Sequence, residues 1–186
     1  MPKLTQVKET KRGRYALFFD GEFAFSLDED TFAMAGLHTG DELEEWQIHD
    51  LQTKSDTRKA VDKAMDLLAL RDHAAGELYQ KLCRSFDPHS AAAAVAKMQE
   101  LNLLDDAGFA RRRAAELLRK RKSRRAILDD LHAKGIDRGA AAEAVEALFA
   151  QSEEDEEENP ELANARALVE RHYAAKLAQG KWQQVA

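Results

Sequence analysis

The chain has little cysteine and no long apolar run, and each shortage excludes a class of protein. Its 186 residues include one cysteine, Cys83, so an internal disulfide is excluded and a reducing cytoplasm is expected. No run of about 18 apolar residues exists, which argues against a transmembrane helix. Residues 1–14 lack the apolar centre of a signal peptide. We therefore expect a cytoplasmic protein with no membrane partner.

The sequence also lacks the motifs of common catalytic and metal sites. Gly180-Lys181 has neither the preceding glycine nor the following hydroxyl of a phosphate-binding loop. The six histidines make no metal-binding spacing with Cys83. Two aspartate pairs, Asp105-Asp106 and Asp129-Asp130, are better explained by helix capping and by a solvated helix face. We predict a protein that is not an enzyme and uses no cofactor or metal.

What the chain does have is charge, and it is unevenly distributed. Residues 1–57 carry a net charge of −6, residues 58–150 carry +4 and residues 151–186 carry −4. Within the basic middle, residues 111–125 hold nine Arg or Lys and one acid, Glu116. That density attracts polyanions, because neutralising phosphates releases counterions. It attracts an acidic protein face equally well through long-range steering, so both kinds of partner stay open.

The first part of the chain is predicted to contain a β-hairpin. Alternating apolar residues flank Asp20-Gly21, which is the strongest short-range signal for a hairpin with a type I′ turn. These residues are Tyr15, Leu17 and Phe19 before the turn and Phe23, Phe25 and Leu27 after it. The aromatic side chains are predicted to belong to the core rather than to a ligand platform.

Two short helices are predicted to cover this hairpin, because an isolated hairpin is marginal in water. The first would be capped by Asp28 or Asp30 and closed by Gly36. The second would pack its apolar side chains on the hairpin, and these are Leu43, Trp46 and Leu51.

From about Thr57 the sequence becomes rich in alanine, poor in glycine and proline, and helical in its spacing. Leu78 and Leu82 correspond to Ile127 and Leu131 at an offset of 49 residues. A period near 50 that is built from three short helices is a tandem helical repeat. Helix starts are predicted at Asp87-Pro88, at Asp105 or Asp106, at Ser123 and at Asp137, with Gly135 ending a helix.

The predicted fold class is mainly α, with tandem three-helix repeats and a small N-terminal α+β (β-hairpin) module. The last helix would carry an apolar stripe, and Lys181-Trp182 would begin another, so the third unit is expected to be incomplete. That stripe comprises Leu162, Ala165, Val169, Tyr173 and Leu177. The predicted divisions are the N-terminal module over 1–56, repeat 1 over 57–104, repeat 2 over 105–150, an acidic linker over 151–158 and a partial repeat over 159–186.

The basic stretch is the candidate binding surface. On a helical wheel that starts at the apolar Phe109, Arg112 and Arg119 point away from the apolar side. Exposed ion pairs contribute only about 0.2–1 kcal/mol each, so stability does not explain the excess charge. Arg124 and Arg125 fall in the first turn of the next helix, where the dipole favours anions. The predicted binding residues are Arg111, Arg112, Arg119, Lys120, Arg121, Lys122, Arg124 and Arg125.

The paired units resemble the RecX family of bacterial recombinase regulators. The first unit carries residues 64–69, which read AMDLLA, then Arg71, Glu77-Leu78, Lys81-Leu82 and 103–106, which read LLDD. The second carries Phe109-Ala110-Arg111, Arg124-Arg125-Ala126-Ile127, Leu131 and Lys134-Gly135-Ile136. Where family members often have Gly-Pro before the second helix of the middle unit, this chain has Lys122-Ser123, and Ser123 still supplies a cap.

The resemblance implies a modulator of the RecA recombinase. Members of this family bind RecA and lie in the groove of its nucleoprotein filament, where most inhibit its activities. A curved helical array suits a helical partner, because it offers a long surface. The expected partners are RecA and the RecA–DNA filament. Whether the protein also contacts DNA directly stays open. Its oligomeric state also stays open, with a monomer as the expectation. The alternative is a DNA-binding helical module, such as a transcription regulator, that acts without RecA.

Overall fold

The computed structural model describes residues 1–155 and 160–178. Three strands lead the described part of the chain: β1 (Leu4–Glu9), β2 (Arg14–Phe19) and β3 (Glu22–Asp28). Eight helices follow in these residues: α1 (Glu29–Ala35), α2 (Glu45–Leu70), α3 (Ala75–Leu82), α4 (Pro88–Glu100), α5 (Asp106–Arg119), α6 (Arg124–Ala133), α7 (Arg138–Asp155) and α8 (Pro160–Ala178). The mainly α fold class with a small N-terminal α+β module is confirmed.

The strands form one antiparallel sheet in the order β1-β2-β3. Asp20 and Gly21 join β2 to β3 with φ of 50° and 89°, the two positive values that a type I′ turn requires. The predicted hairpin is therefore confirmed. β1 was not predicted, because Leu4 and Val7 are its only strongly apolar residues and a register shift between Leu4 and Gln6 interrupts their alternation.

The prediction that the hairpin aromatics belong to the core is wrong for Phe23. Leu17 pairs with Phe25, but Phe18 pairs with Phe23, so Ala24 is an extra residue in β3. A bulge of this kind turns the following side chain to the other face of the sheet. Phe25 is buried as expected, whereas Phe23 is 61% exposed.

The two helices predicted to begin near Leu43 and at Thr57 are a single helix, α2, which runs through the boundary predicted at 56/57. The chain has no glycine or proline between Gly40 and Gly76, so nothing in the sequence stops the helix. Leu51 packs with the sheet, while Ala60 and Ala64 pack with the helices that follow. Trp46, predicted to pack on the hairpin, is instead 68% exposed.

The helical part of the chain has two separate apolar cores that correspond position by position. Leu78 and Leu82 are buried in the first core, and Ile127 and Leu131 are buried in the second. The predicted offset of 49 residues therefore relates equivalent core positions. The capping predictions also hold: the side chains of Asp28, Asp87, Asp105 and Ser123 each accept a backbone hydrogen bond as N-caps of α1, α4, α5 and α6. Asp137 accepts from the backbone of Gly139 at the start of α7.

The chain divides into two compact units. The first comprises residues 1–71 and 78–104, and the second comprises residues 72–77 and the chain from 105 onward. Residues 72–77 join the second unit because its backbone comes very close to Gly76. A Cβ atom on Gly76 would lie 2.7 Å from the Cα of Gly135.

The predicted acidic linker begins inside α7, because residues 151–155 are helical. Residues 156–159 of that linker, and the helix start predicted at Lys181, lie outside the described residues. In α8 the predicted apolar stripe is largely solvent-facing, with Leu162, Val169 and Tyr173 all exposed. No helix that the structure describes is long and apolar enough to cross a membrane.

Candidate basic binding surface

Helix α5 separates an apolar side from a basic side as predicted. Asp105 caps it, accepting a 2.8 Å hydrogen bond from the backbone N–H of Gly108. The buried side comprises Gly108, Phe109, Ala110, Ala114 and Leu117. Arg111, Arg112 and Arg119 are exposed. The apolar side therefore holds the helix in the second unit while these guanidinium groups face solvent.

The chain leaves α5 through a tight turn made of basic residues. The N–H of Arg121 donates to the carbonyl of Leu118 at 2.8 Å, and the N–H of Lys122 donates to that of Leu117 at 3.1 Å. This pair of bonds ends a helix with a left-handed residue, usually glycine, and here Arg121 takes that place with φ of 58°. Lys122 thus lies outside the helix.

Helix α6 begins directly after this turn. The Ser123 hydroxyl accepts a 3.3 Å hydrogen bond from the N–H of Ala126, which fixes the start of the helix. Arg124 and Arg125 follow in its first turn. Arg124 lies over the Phe149 ring, 5.2 Å from its centroid, in a cation–π contact. The turn thus joins two capped helices. We call the eight basic residues predicted to bind a partner the basic junction, and they are residues 111, 112, 119–122, 124 and 125.

Ion pairs divide the basic residues of this region into two groups. Arg113, which is outside the predicted set, makes two hydrogen bonds to Asp130 at 2.8 and 2.9 Å and one to Glu116 at 2.9 Å. It therefore ties α5 to α6. Lys120 also pairs with Glu116, and Arg112 pairs with Asp72 at 2.8 Å between two exposed side chains. These three residues are at least partly compensated.

The remaining charge lies along α5, the turn and the first turn of α6. Four exposed residues of the basic junction form no ion pair with any described residue, and they are Arg111, Arg119, Lys122 and Arg125. Among the described residues, Arg121 makes a long, 3.4 Å contact with the amide oxygen of Asn164. Because the backbone is held by two capped helix ends, these cations are presented without the cost of ordering a loop.

Sequence reasoning missed Arg113 as the residue that fixes this geometry. The i,i+3 spacing between Arg113 and Glu116 predicts one of its ion pairs. The pairing with Asp130, which is 17 residues away, depends on how α5 and α6 pack. The hydrogen bonds from Arg113 hold the pKa of Asp130 below its usual range, and they raise the pKa of Arg113 itself.

We predict that Asp130→Asn destabilises the second unit by about 1–2 kcal/mol at pH 7, because one charge-assisted partner of Arg113 is lost. An Asp with a lowered folded pKa stabilises the protein above its unfolded pKa, about 3.9, and loses that contribution as the pH falls through the folded value. The difference between wild type and variant should therefore shrink towards pH 3. Urea denaturation at several pH values tests this, and a pH-independent difference would contradict it.

We predict that Arg121→Gly stabilises the protein by about 0.5–1 kcal/mol. A left-handed conformation costs a non-glycine residue about 1–2 kcal/mol, and the greater chain entropy of unfolded glycine offsets part of the gain. Asn102 ends α4 with φ of 54°, so Asn102→Gly is the matched control. Thermal denaturation followed by circular dichroism measures both, and a destabilised Arg121→Gly protein would rule out strain at this position.

The chemistry of the surface is suited to binding anions. No group of three or more His, Cys, Asp or Glu side chains that could hold a metal ion occurs among the residues that the structure describes. The uncompensated guanidinium and ammonium groups can contact phosphates or carboxylates, and guanidinium can do so with two parallel hydrogen bonds.

Comparison with known proteins relates the chain to a group of regulators. No protein-family model matches it. It is 27% identical over 151 residues to the regulatory protein RecX of Caldanaerobacter subterraneus, across 81% of this chain and 77% of that protein. It is 31% identical over 180 residues to the protein of the same name from Lactobacillus gasseri, across 96% of this chain and 65% of the relative. A third, from Lactobacillus delbrueckii, is 36% identical across 74% of this chain and 52% of its own length.

Solved structures show the same fold. The crystal structure of a regulatory protein RecX matches with a TM-score of 0.66 at 21% identity, over all of this chain and 90% of the other. RecX from Lactobacillus salivarius matches with a TM-score of 0.56 at 18% identity, over 70% of this chain and 82% of the other. At these identities the likeness speaks for the fold alone.

The fold is that of a helical-repeat protein with a small N-terminal sheet. The sequence relatives then give the family: the chain belongs to the RecX family of regulatory proteins. It spans about half to three quarters of the length of the three curated relatives named above.

Proposed function

We propose that this protein regulates RecA by binding RecA or its nucleoprotein filament, and that it lowers the activity of the filament without catalysing a reaction itself. The observation that carries this is a set of four exposed cations along α5, the turn and the start of α6 that form no ion pair with any described residue. Membership of the RecX family supports RecA as the partner. The eight residues of the basic junction are the proposed contact surface.

The charge pattern explains why an anionic partner is needed. The first turn of α6 bears Arg124 and Arg125, although the positive end of a helix dipole favours anions there. Phosphate or carboxylate groups of a partner would relieve this repulsion and that among the neighbouring cations. A nucleoprotein filament offers both kinds of group, as DNA phosphates and as acidic side chains. Such contacts also speed association, since unlike charges steer the encounter.

The direct test is sedimentation of the purified chain with RecA filaments assembled on single-stranded DNA. We expect the chain to sediment with the filament, and to do so less as salt rises, because the contact is electrostatic. The control samples contain DNA without RecA. Retention by RecA filaments well above retention by naked DNA supports the proposal. Equal binding to both, above all with sequence preference on duplex DNA, would instead support a DNA-binding module that acts without RecA.

A further inference from the structure

The N-terminal sheet presents an aromatic surface to solvent. Phe18 and Phe23 lie on the face opposite the core, with ring centroids 5.7 Å apart and planes at 68°. The ammonium group of Lys8 lies 5.3 Å from the centroid of the Phe18 ring. Phe18 is half-buried under these neighbours, whereas Phe23 is 61% exposed. The Phe23 ring is thus held by an edge-to-face contact with Phe18 while most of its surface is exposed to solvent.

The β-bulge at Ala24 is what places Phe23 there. Regular alternation from the buried Phe25 would return Phe23 to the core face, where an aromatic side chain stabilises the fold most. The bulge instead sets it against Phe18 on the open face. Exposing so large an apolar side chain gives up the stabilisation that its burial would provide.

Three basic residues lie near the aromatic pair. Lys8 lies on the face itself, and Lys11 and Arg12 form the turn that joins β1 to β2. All three are exposed, and none forms an ion pair with any residue in the described ranges. The nearby acids Glu9 and Glu22 pair with Tyr15 and Phe19, which belong to the core face. Asp28 pairs with Arg14 at the far end of the open face, where it lines a groove together with Arg12.

We propose that this sheet face binds single-stranded nucleic acid. A base would stack on Phe23, and the backbone phosphates would run past Lys8 towards Lys11 and Arg12. Along β2 the step from Phe18 to Arg14 is about 13 Å at roughly 3.3 Å per residue, a length that a few nucleotides span. Exposed aromatics beside cations are the usual platform for unpaired bases, because every base has a π-face. A duplex is a poor ligand, since its bases are already stacked on each other.

This site is separate from the basic junction and does not depend on RecA. Fluorescence anisotropy of a labelled 15-nucleotide oligothymidine, with the full chain titrated in, tests it. We expect Phe23→Ala and Phe23→Leu to weaken binding about fivefold or more, because both remove the π-face, and Phe23→Tyr to retain it. Met34→Ala, at a position 89% exposed on α1, is the control and should bind as wild type does. Circular dichroism checks that each variant is folded.

The same titration is repeated with Arg119, Lys122 and Arg125 changed to Glu, so that binding at the basic junction cannot hide the effect. An equal fold-loss from Phe23→Ala in both backgrounds supports the sheet site. Changing Lys8, Lys11 and Arg12 to Gln should also reduce the slope of log K against log salt concentration by up to about two, because each lost phosphate contact lowers it by roughly 0.7. Unchanged binding of Phe23→Ala or Phe23→Leu in both backgrounds, or equal binding of a duplex, would overturn the proposal.

Discussion

Changing Arg119, Lys122 and Arg125 to glutamate is expected to weaken binding to RecA filaments by at least about tenfold at physiological salt, and with it the inhibition of RecA. The three residues are exposed and form no ion pair with any described residue. Reversal therefore changes the electrostatic field of the surface without breaking an ion pair between described residues. Arg112 is left in place because its pairing with Asp72 would become a repulsion between two acids. Filament sedimentation measures the loss.

The matched control reverses three exposed basic residues elsewhere, Lys63, Arg84 and Arg138, which also form no ion pair in the described part of the chain. Both variants change the net charge equally, so a difference between them reports position and not total charge. Both should have the circular dichroism spectrum of wild type. Equal losses in the two variants would show that the location of the charge does not matter.

Gly135→Ala is expected to destabilise the second unit by about 2–5 kcal/mol. Gly135 ends α6 with φ of 80°, a conformation that costs an alanine about 1–2 kcal/mol. Its new Cβ would also lie 2.6 Å from the Cα of Gly76, which is a backbone atom and cannot rotate away. Overpacking of this kind adds about 1–3 kcal/mol. Urea denaturation followed by circular dichroism measures the change in the free energy of unfolding.

Gly36→Ala separates the two causes of this loss. Gly36 also has a positive φ, 59°, but a Cβ there would meet nothing within 4 Å. Only the conformational cost of about 1–2 kcal/mol should remain. If Gly135→Ala cost no more than Gly36→Ala, the close approach between residues 76 and 135 would not contribute to stability.

The features predictable from the sequence are those set by neighbouring residues. A type I′ turn needs two residues that tolerate positive φ, so Asp20-Gly21 identifies the hairpin. An N-cap needs a short polar side chain three residues before a free N–H, so Asp105 and Ser123 identify the starts of α5 and α6. The repeat is also visible, because equivalent core positions recur at a constant offset.

The features that the sequence does not reveal depend on distant residues. The bulge that exposes Phe23 is a register shift between two strands, and a period-two pattern cannot show it. β1 is defined by its pairing with β2 and carries few apolar residues. In the same way, the sequence locates the basic junction but cannot say which cations are compensated. The packing of α5 against α6 brings Arg113 to Asp130, so Arg113 is neutralised by an ion pair that depends on the fold.

The rate of ATP hydrolysis by RecA on single-stranded DNA shows whether the basic junction lets this protein restrain RecA, as we claim. The rate is measured as the wild-type chain is titrated in. We predict that hydrolysis falls progressively as the chain occupies the filament, and that the variant with Arg119, Lys122 and Arg125 changed to Glu leaves the rate near its starting value. A rate that does not change with saturating wild-type chain, or that the variant lowers as strongly, would contradict the claim.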